Sequence, residues 1–154
     1  MVICVSWQTY RSAGLCAGAG DVDRIGRALD QLFDNAAKFV PVGGAVGVRA
    51  RRLPSGHFEI CIADNGPGVV QRQDLEVFEP FYQVDGSPTR SHGGTGVGLA
   101  IVRGVAQGHG GDVRIVSPAD EEIVGERFNG AAFYFVVSDV SMGPVSELPS
   151  RPFQ

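Results

Sequence analysis

The chain is poor in several residue types, and each shortage excludes a class of protein. It has three cysteines among 154 residues, and Cys4, Cys16 and Cys61 lie far apart without a CxxC pair. That usage is typical of a reduced, cytoplasmic protein without a disulfide framework. No apolar run approaches the roughly 18 residues of a membrane span, so no direct membrane contact is expected. A net charge of −4 argues against binding to nucleic acid.

The spacing of apolar and polar residues predicts one domain over residues 1–138 and a flexible tail over 139–154. The predicted strands cover 2–8, 45–52, 58–63, 112–117 and 131–137, and the predicted helices cover 21–39 or 23–39 and 95–107. An acidic loop is expected between the last two strands. This order indicates an α/β sandwich, in which a mixed sheet carries helices on one face.

Polar residues follow one side of the first predicted helix. Gln31, Asn35 and Lys38 are spaced i, i+4 and i+7, so they lie within roughly 60° of one another. The amide oxygen of Asn35 suits Mg²⁺, which prefers oxygen ligands. Lys38 is the only lysine among the thirteen basic residues, and its compact charge suits a phosphate oxygen. The alternative is that both are ordinary solvated helix residues.

A first glycine segment follows the apolar strand at 58–63. Asp64 stands at the strand end and is followed by Gly66 and Gly68 at DxGxG spacing. A carboxylate there can accept a hydrogen bond from an exocyclic amine such as that of adenine, and the glycines let the backbone approach the ring. The alternative is a simple turn after a strand, since Asp, Asn, Gly and Pro all favour turns.

A second glycine segment, Gly93–Leu99, opens the second predicted helix and offers free backbone N–H groups to an anion. Two familiar phosphate loops are excluded. A Walker A loop needs a Gly-Lys pair, which occurs nowhere in the chain. A Rossmann loop needs a strand directly before the glycines, whereas residues 87–92 are polar and contain Pro88. The segment is therefore a phosphate-facing loop of another kind.

Four segments together resemble one family. They are RALDQLFDNAAKF, ADNGPGV, VFEPFYQVD and GGTGVGLAIVRGVAQGHGG, in this order. They are similar to the N, first glycine, F and second glycine boxes in the catalytic ATP-binding domain of sensor histidine kinases, over residues 2–138. The resemblance implies the Bergerat ATP-binding sandwich of gyrase, Hsp90 and MutL proteins: a two-layer α/β sandwich with a mainly antiparallel sheet and a flexible ATP lid.

The resemblance also implies roles for individual residues, with ATP and Mg²⁺ as the ligands. Asn35 would coordinate Mg²⁺ and act with Lys38 as the catalytic pair at the phosphates, while Asp64 would bind the adenine amine. Phe78 and its aromatic neighbours would anchor the lid and help dock the phosphoacceptor domain. The implied ATP-binding set is Asn35, Lys38, Phe39, Asp64, Gly66, Gly68, Val69, Phe78, Tyr82, Arg90, Gly94, Thr95, Gly96, Val97, Gly98 and Leu99.

The sequence departs from the family pattern at two positions. Gln31 stands where many relatives carry Asn, one turn before the metal ligand. Gln83 stands where a number of relatives place a basic residue near the γ-phosphate. Arg90, in the lid, is a candidate to supply that charge, and the alternative is a solvated loop arginine.

No helical hairpin carries an acceptor histidine in this chain, because His57, His92 and His109 all fall in turns, in the lid or at a helix end. We therefore expect a monomeric catalytic domain of a larger kinase. Its partners would be the kinase's own helical-hairpin phosphoacceptor domain and a downstream response regulator. Two alternatives remain: a degenerate nucleotide sensor or scaffold without kinase activity, and another ATPase or serine kinase of the superfamily.

Overall fold

The computed structural model describes residues 2–7, 19–69, 76–80 and 96–138. The strands are β1 Val2–Trp7, β2 Ala45–Arg52, β3 Phe58–Asp64, β4 Asp112–Val116, β5 Glu121–Ile123, β6 Glu126–Phe128 and β7 Ala132–Val137. The helices are α1 Ala19–Phe39 and α2 Gly98–Gly108, and Glu76–Phe78 forms one 3₁₀ turn. The predicted tail lies outside the described residues. No helix of the described part is long and apolar enough to cross a membrane.

The main sheet has five strands in the order β1-β2-β3-β7-β4. β1 pairs with β2 in parallel, and the other neighbours are antiparallel. Ile62 pairs with Val48 on one side and with Phe133 on the other, so the apolar residues of three strands share one face. The predicted fold class, a mixed and mainly antiparallel sheet in an α/β sandwich, is confirmed.

α1 and α2 cover that apolar face. In α1 the residues Ile25, Ala28, Leu32 and Ala36 are all buried. They are separated by steps of three or four residues, which place side chains on one side of a helix. Ala37 also fits the apolar pattern of the sequence but is exposed, because it lies one position past this stripe. The end of α1 lies against the loop that follows β3, since a Cβ on Gly66 would lie 2.7 Å from the carbonyl oxygen of Phe39.

The opposite face of the sheet carries a feature that the sequence analysis missed. The segment predicted as an acidic loop contains the β5–β6 hairpin, which packs over the sheet. A Cβ on Gly47 would lie 2.6 Å from the ring of Phe128, so this close packing requires glycine. The strands are three residues long and carry charged residues, which leaves no apolar period to detect.

Glu121 anchors this hairpin to the sheet. It accepts hydrogen bonds from Arg49, at 2.5 Å, and from the hydroxyl of Tyr134. Burial raises the pKa of Glu121, but the two hydrogen bonds outweigh burial, so the pKa lies below its ordinary value. The ion pair between Arg49 and Glu121 therefore holds the hairpin against the face of the sheet that lies away from the helices.

Candidate functional site

The last two turns of α1 form one wall of the candidate site. The Asn35 side chain is half-buried and the Lys38 side chain is exposed. The Asn35 side chain makes no hydrogen bond to any described residue. Phe39, the last residue of the helix, is 53% exposed. Lys38 lies at the helix C-terminus, where a cation is also favourable for the helix dipole. The polar strip predicted from the sequence thus faces out beside the sheet.

Asp64 lies at the centre of the site, at the end of β3, and is only 3% exposed. Its Oδ1 accepts hydrogen bonds from the amides of Gly66, at 2.8 Å, and Ala131, at 3.2 Å. Burial raises the pKa of its carboxyl, and these two hydrogen bonds offset part of the rise. Both bonds end on Oδ1, so Oδ2 has no donor among the described residues.

The glycine loop after Asp64 brings β3 and α1 together. A Cβ on Gly66 would lie 2.7 Å from the carbonyl oxygen of Phe39, so the loop backbone lies directly against the end of α1. Gly68 has a φ of +73°, a conformation that residues with a Cβ rarely adopt. Position 66 therefore requires glycine because the backbone of α1 approaches closely, and position 68 favours glycine because of its positive φ.

The start of α2 lies against α1. Val97 gives the helix no side-chain cap, so the amides of the first turn are available to another acceptor. A Cβ on Gly98 would lie 2.3 Å from the side-chain oxygen of Gln31, which brings α1 and α2 into contact beside the site. Gly96, which precedes the helix, has a φ of +69°. The helix begins three residues later than predicted.

Other residues of the predicted set have different surroundings. Val69 and Leu99 are partly buried against the main core. Phe78 is 4% exposed and packs edge-on against Phe133, with ring centroids 6.5 Å apart. The Phe78 ring is therefore packed within the hydrophobic core. Tyr82, Gln83, Arg90, Gly94 and Thr95 lie outside the described residues.

The sequence analysis missed three residues that build the site. Ala131 donates to Asp64, as described above. Asn65 accepts a 2.9 Å hydrogen bond from the amide of Ala45 and thereby joins the glycine loop to the start of β2. Gly130 lies against Asp64, and its amide donates to the carbonyl oxygen of Asp64 at 2.9 Å. Their contacts span distant parts of the chain, so no local pattern points to them.

Replacing Gly130 by alanine is expected to destabilise this site. The new Cβ would lie 2.3 Å from Oδ1 of Asp64 and 2.7 Å from the amide nitrogen of Gly66. The backbone of Gly66 has no room to move away, and such overpacking costs about 1–3 kcal/mol of unfolding free energy. Urea denaturation would measure the loss.

Gly104→Ala is the matched control, because nothing lies within 4 Å of a Cβ at that position in α2. This control is expected to gain about 0.5–1 kcal/mol, since alanine favours a helix more than glycine does. A Gly130→Ala variant as stable as the wild type would contradict the assigned packing.

The site fits a nucleotide better than a metal ion held by protein side chains alone. Asp64 leaves one carboxylate oxygen without a described donor, and the glycines expose the loop backbone beside it. No group of three or more His, Cys, Asp or Glu side chains comes together among the described residues to hold a metal. Asn35 would therefore need additional oxygen ligands, of the kind that phosphates and waters supply.

Comparison with known proteins identifies the same region. Residues 20–139 match the family model described as histidine kinase-, DNA gyrase B-, and HSP90-like ATPase. The signal transduction histidine-protein kinase/phosphatase MprB of Mycobacterium ulcerans (strain Agy99) is 38% identical over 148 residues, 96% of this chain and 26% of that protein. This chain thus spans about a quarter of the length of the curated relatives it matches.

Solved structures agree with this match. One described as the mycobacterial sensor histidine kinase MprB has a TM-score of 0.70 and 36% identity, with 88% of this chain and 82% of that chain covered. Full-length ShkA in complex with AMPPNP has a TM-score of 0.64 and 29% identity, with 88% of this chain and 25% of that chain covered.

Proposed function

Since the chain belongs to the family of histidine kinase-, DNA gyrase B- and HSP90-like ATPases, we propose that it binds ATP with Mg²⁺ as the catalytic domain of a sensor histidine kinase. The γ-phosphoryl group would be transferred to a histidine on a separate phosphoacceptor domain. Several relatives are named as histidine-protein kinases, which favours this branch of the family over the gyrase and Hsp90 branches.

The arrangement around Asp64 carries the proposal at the adenine end. Oδ1 is held by two backbone amides, which fixes the carboxylate and leaves Oδ2 to accept from an exocyclic amine. A hydrogen bond to a charged group contributes on the order of 1.5–3 kcal/mol. Gly66 and Gly68 follow within four residues, and the loop that they form packs against the end of α1 and Ser117.

Asn35, Lys38 and the start of α2 would hold the phosphates. Asn35 offers a free amide oxygen to Mg²⁺, which when bound would supply charge neutralisation at the triphosphate. Lys38 extends from the same face of α1 and would contact a phosphate oxygen. The uncapped amides of α2 face a third side, as is common for anion sites at helix N-termini. Arg90, Gly94 and Thr95, which lie outside the described residues, remain predicted contributors.

Transfer would proceed with few reactive side chains. The bond between the γ-phosphorus and the bridging oxygen would break, a bond from phosphorus to an imidazole nitrogen would form and ADP would leave, while the N–H proton of the other ring nitrogen would pass to solvent. Such chemistry depends mainly on positioning and charge stabilisation. The acceptor histidine would come from a helical hairpin of the parent kinase, a response regulator would take the phosphoryl group onward, and the domain would work in the cytoplasm.

Calorimetric titration with AMPPNP, with and without Mg²⁺, tests the proposal. We expect saturable binding at one site that becomes tighter when Mg²⁺ is present, because the ion would bridge Asn35 and the phosphates. Circular dichroism of the same sample establishes that the chain is folded. A folded chain that binds no AMPPNP under either condition would instead support the scaffold alternative.

A further inference from the structure

Ser117 connects the two segments that hold Asp64, and it belongs to none of the predicted motifs. It follows β4, and its hydroxyl oxygen accepts a 2.7 Å hydrogen bond from the amide of Val69. The same hydroxyl donates to the carbonyl oxygen of Gly130 at 3.3 Å. One side chain therefore joins the end of the glycine loop to the segment that precedes β7.

Both of these segments act on Asp64. The glycine loop supplies the Gly66 amide to Oδ1, and the Gly130–Ala131 segment supplies the Ala131 amide to the same oxygen. A Cβ on Gly68 would lie 2.4 Å from the hydroxyl oxygen of Ser117, so the loop is packed directly on this side chain. Besides the direct backbone hydrogen bonds between Asp64 and the Gly130–Ala131 segment, the Ser117 hydroxyl is a further link between the two segments.

We propose that Ser117 is a positioning residue for adenine recognition: its hydroxyl holds the glycine loop at the distance from Gly130 at which Asp64 can accept from the adenine amine. This inference rests on the proposed function, because it concerns the adenine end of the ATP site. Ser117 acts through the Val69 amide and the Gly130 carbonyl and needs no contact with the nucleotide.

Ser117→Ala, with ADP and AMPPNP as probes, tests the role. Without the hydroxyl the Val69 amide loses its acceptor and the loop loosens, so we expect the Kd to rise by about tenfold. The rise should be the same for ADP and for AMPPNP with Mg²⁺, because both ligands share the adenine and differ in the phosphates. Ser117→Thr keeps the hydroxyl and should restore binding to within about threefold of the wild type.

Ser138→Ala is the matched control. The Ser138 hydroxyl donates a 2.6 Å hydrogen bond to the carbonyl oxygen of His109, so it also joins two segments, but at the end of α2 far along the chain from the glycine loop. Both alanine variants are expected to lower the melting temperature by similar amounts. Only Ser117→Ala should weaken nucleotide binding.

Any of four outcomes would overturn the inference while leaving ATP binding itself intact. A folded Ser117→Ala protein could bind ADP as the wild type does, Ser138→Ala could weaken binding equally, or the Ser117→Ala effect could be confined to AMPPNP. Failure of Ser117→Thr to restore binding would also overturn it, since the hydroxyl is the group invoked. A folded wild-type protein that binds neither ligand would instead remove the proposed function, and this inference with it.

Discussion

Asn35→Ala is expected to abolish phosphoryl transfer to a supplied histidine-bearing acceptor domain while the protein stays folded. The Asn35 side chain is half-buried on α1 and makes no hydrogen bond to any described residue, so its removal breaks no side-chain hydrogen bond and the helix is expected to stay folded. Charge stabilisation by a bound metal contributes several kcal/mol in the transition state, and its loss slows transfer by more than about a hundredfold. Radiolabelled ATP and an acceptor domain added in trans would measure the rate.

Asn35→Asp tests whether the absence of charge on this side chain matters in addition to its oxygen ligand. It keeps an oxygen ligand but adds a negative charge beside the phosphates, so transfer is expected to fail here too. Gln107→Ala is the control, because it removes an exposed amide side chain near the opposite end of α2. In calorimetry, Asn35→Ala should bind AMPPNP equally with and without Mg²⁺. Transfer at the wild-type rate by either Asn35 variant would remove Asn35 from the metal site.

Asp64→Asn is expected to weaken ADP binding by roughly ten- to a hundredfold without unfolding the protein. The amide oxygen of asparagine can still accept from the Gly66 and Ala131 amides, which both bond to Oδ1 in the wild type. Its NH₂ group would then replace Oδ2 and would face the adenine amine, so that two donors meet. Calorimetry measures the affinity, and Asp112→Asn, with an exposed side chain, is the matched control.

The pH dependence of stability tests the same residue independently of any ligand. Burial raises the pKa of Asp64 in the folded protein above its ordinary value of 3.8. Its stabilising contribution is therefore present below that ordinary pKa and is lost as the pH rises through the raised value. The free energy of unfolding of Asp64→Asn, relative to that of the wild type, should be highest at neutral pH and should decrease in acid. Urea unfolding that shows a difference independent of pH, or one that moves in favour of the variant in acid, would contradict this.

Much of the fold follows from local patterns. The apolar stripe of α1 and the bounds of β2 are predicted correctly from the sequence, because burial on one face imposes a period of 3.6 residues on helices and of two residues on strands, as Val46 and Val48 show. The β5–β6 hairpin could not be predicted in this way. Its short charged strands are stabilised by Glu121 bonding to Arg49 and Tyr134, residues that lie on other strands.

The spacing of residues in the sequence was enough to predict the order of the helices and of the main-sheet strands, the polar strip of α1 and the position of Asp64 at a strand end before two glycines. These features depend on neighbours within a few residues, so their spacing is visible in the chain. The hydrogen bonds that hold Asp64 and its loop depend instead on the tertiary structure. Ala131 and Ser117 reach the site from positions 67 and 48 residues away from their partners. Hydrogen bonds over such separations form only when β7 pairs with β3 and β4 pairs with β7, and no local period records them.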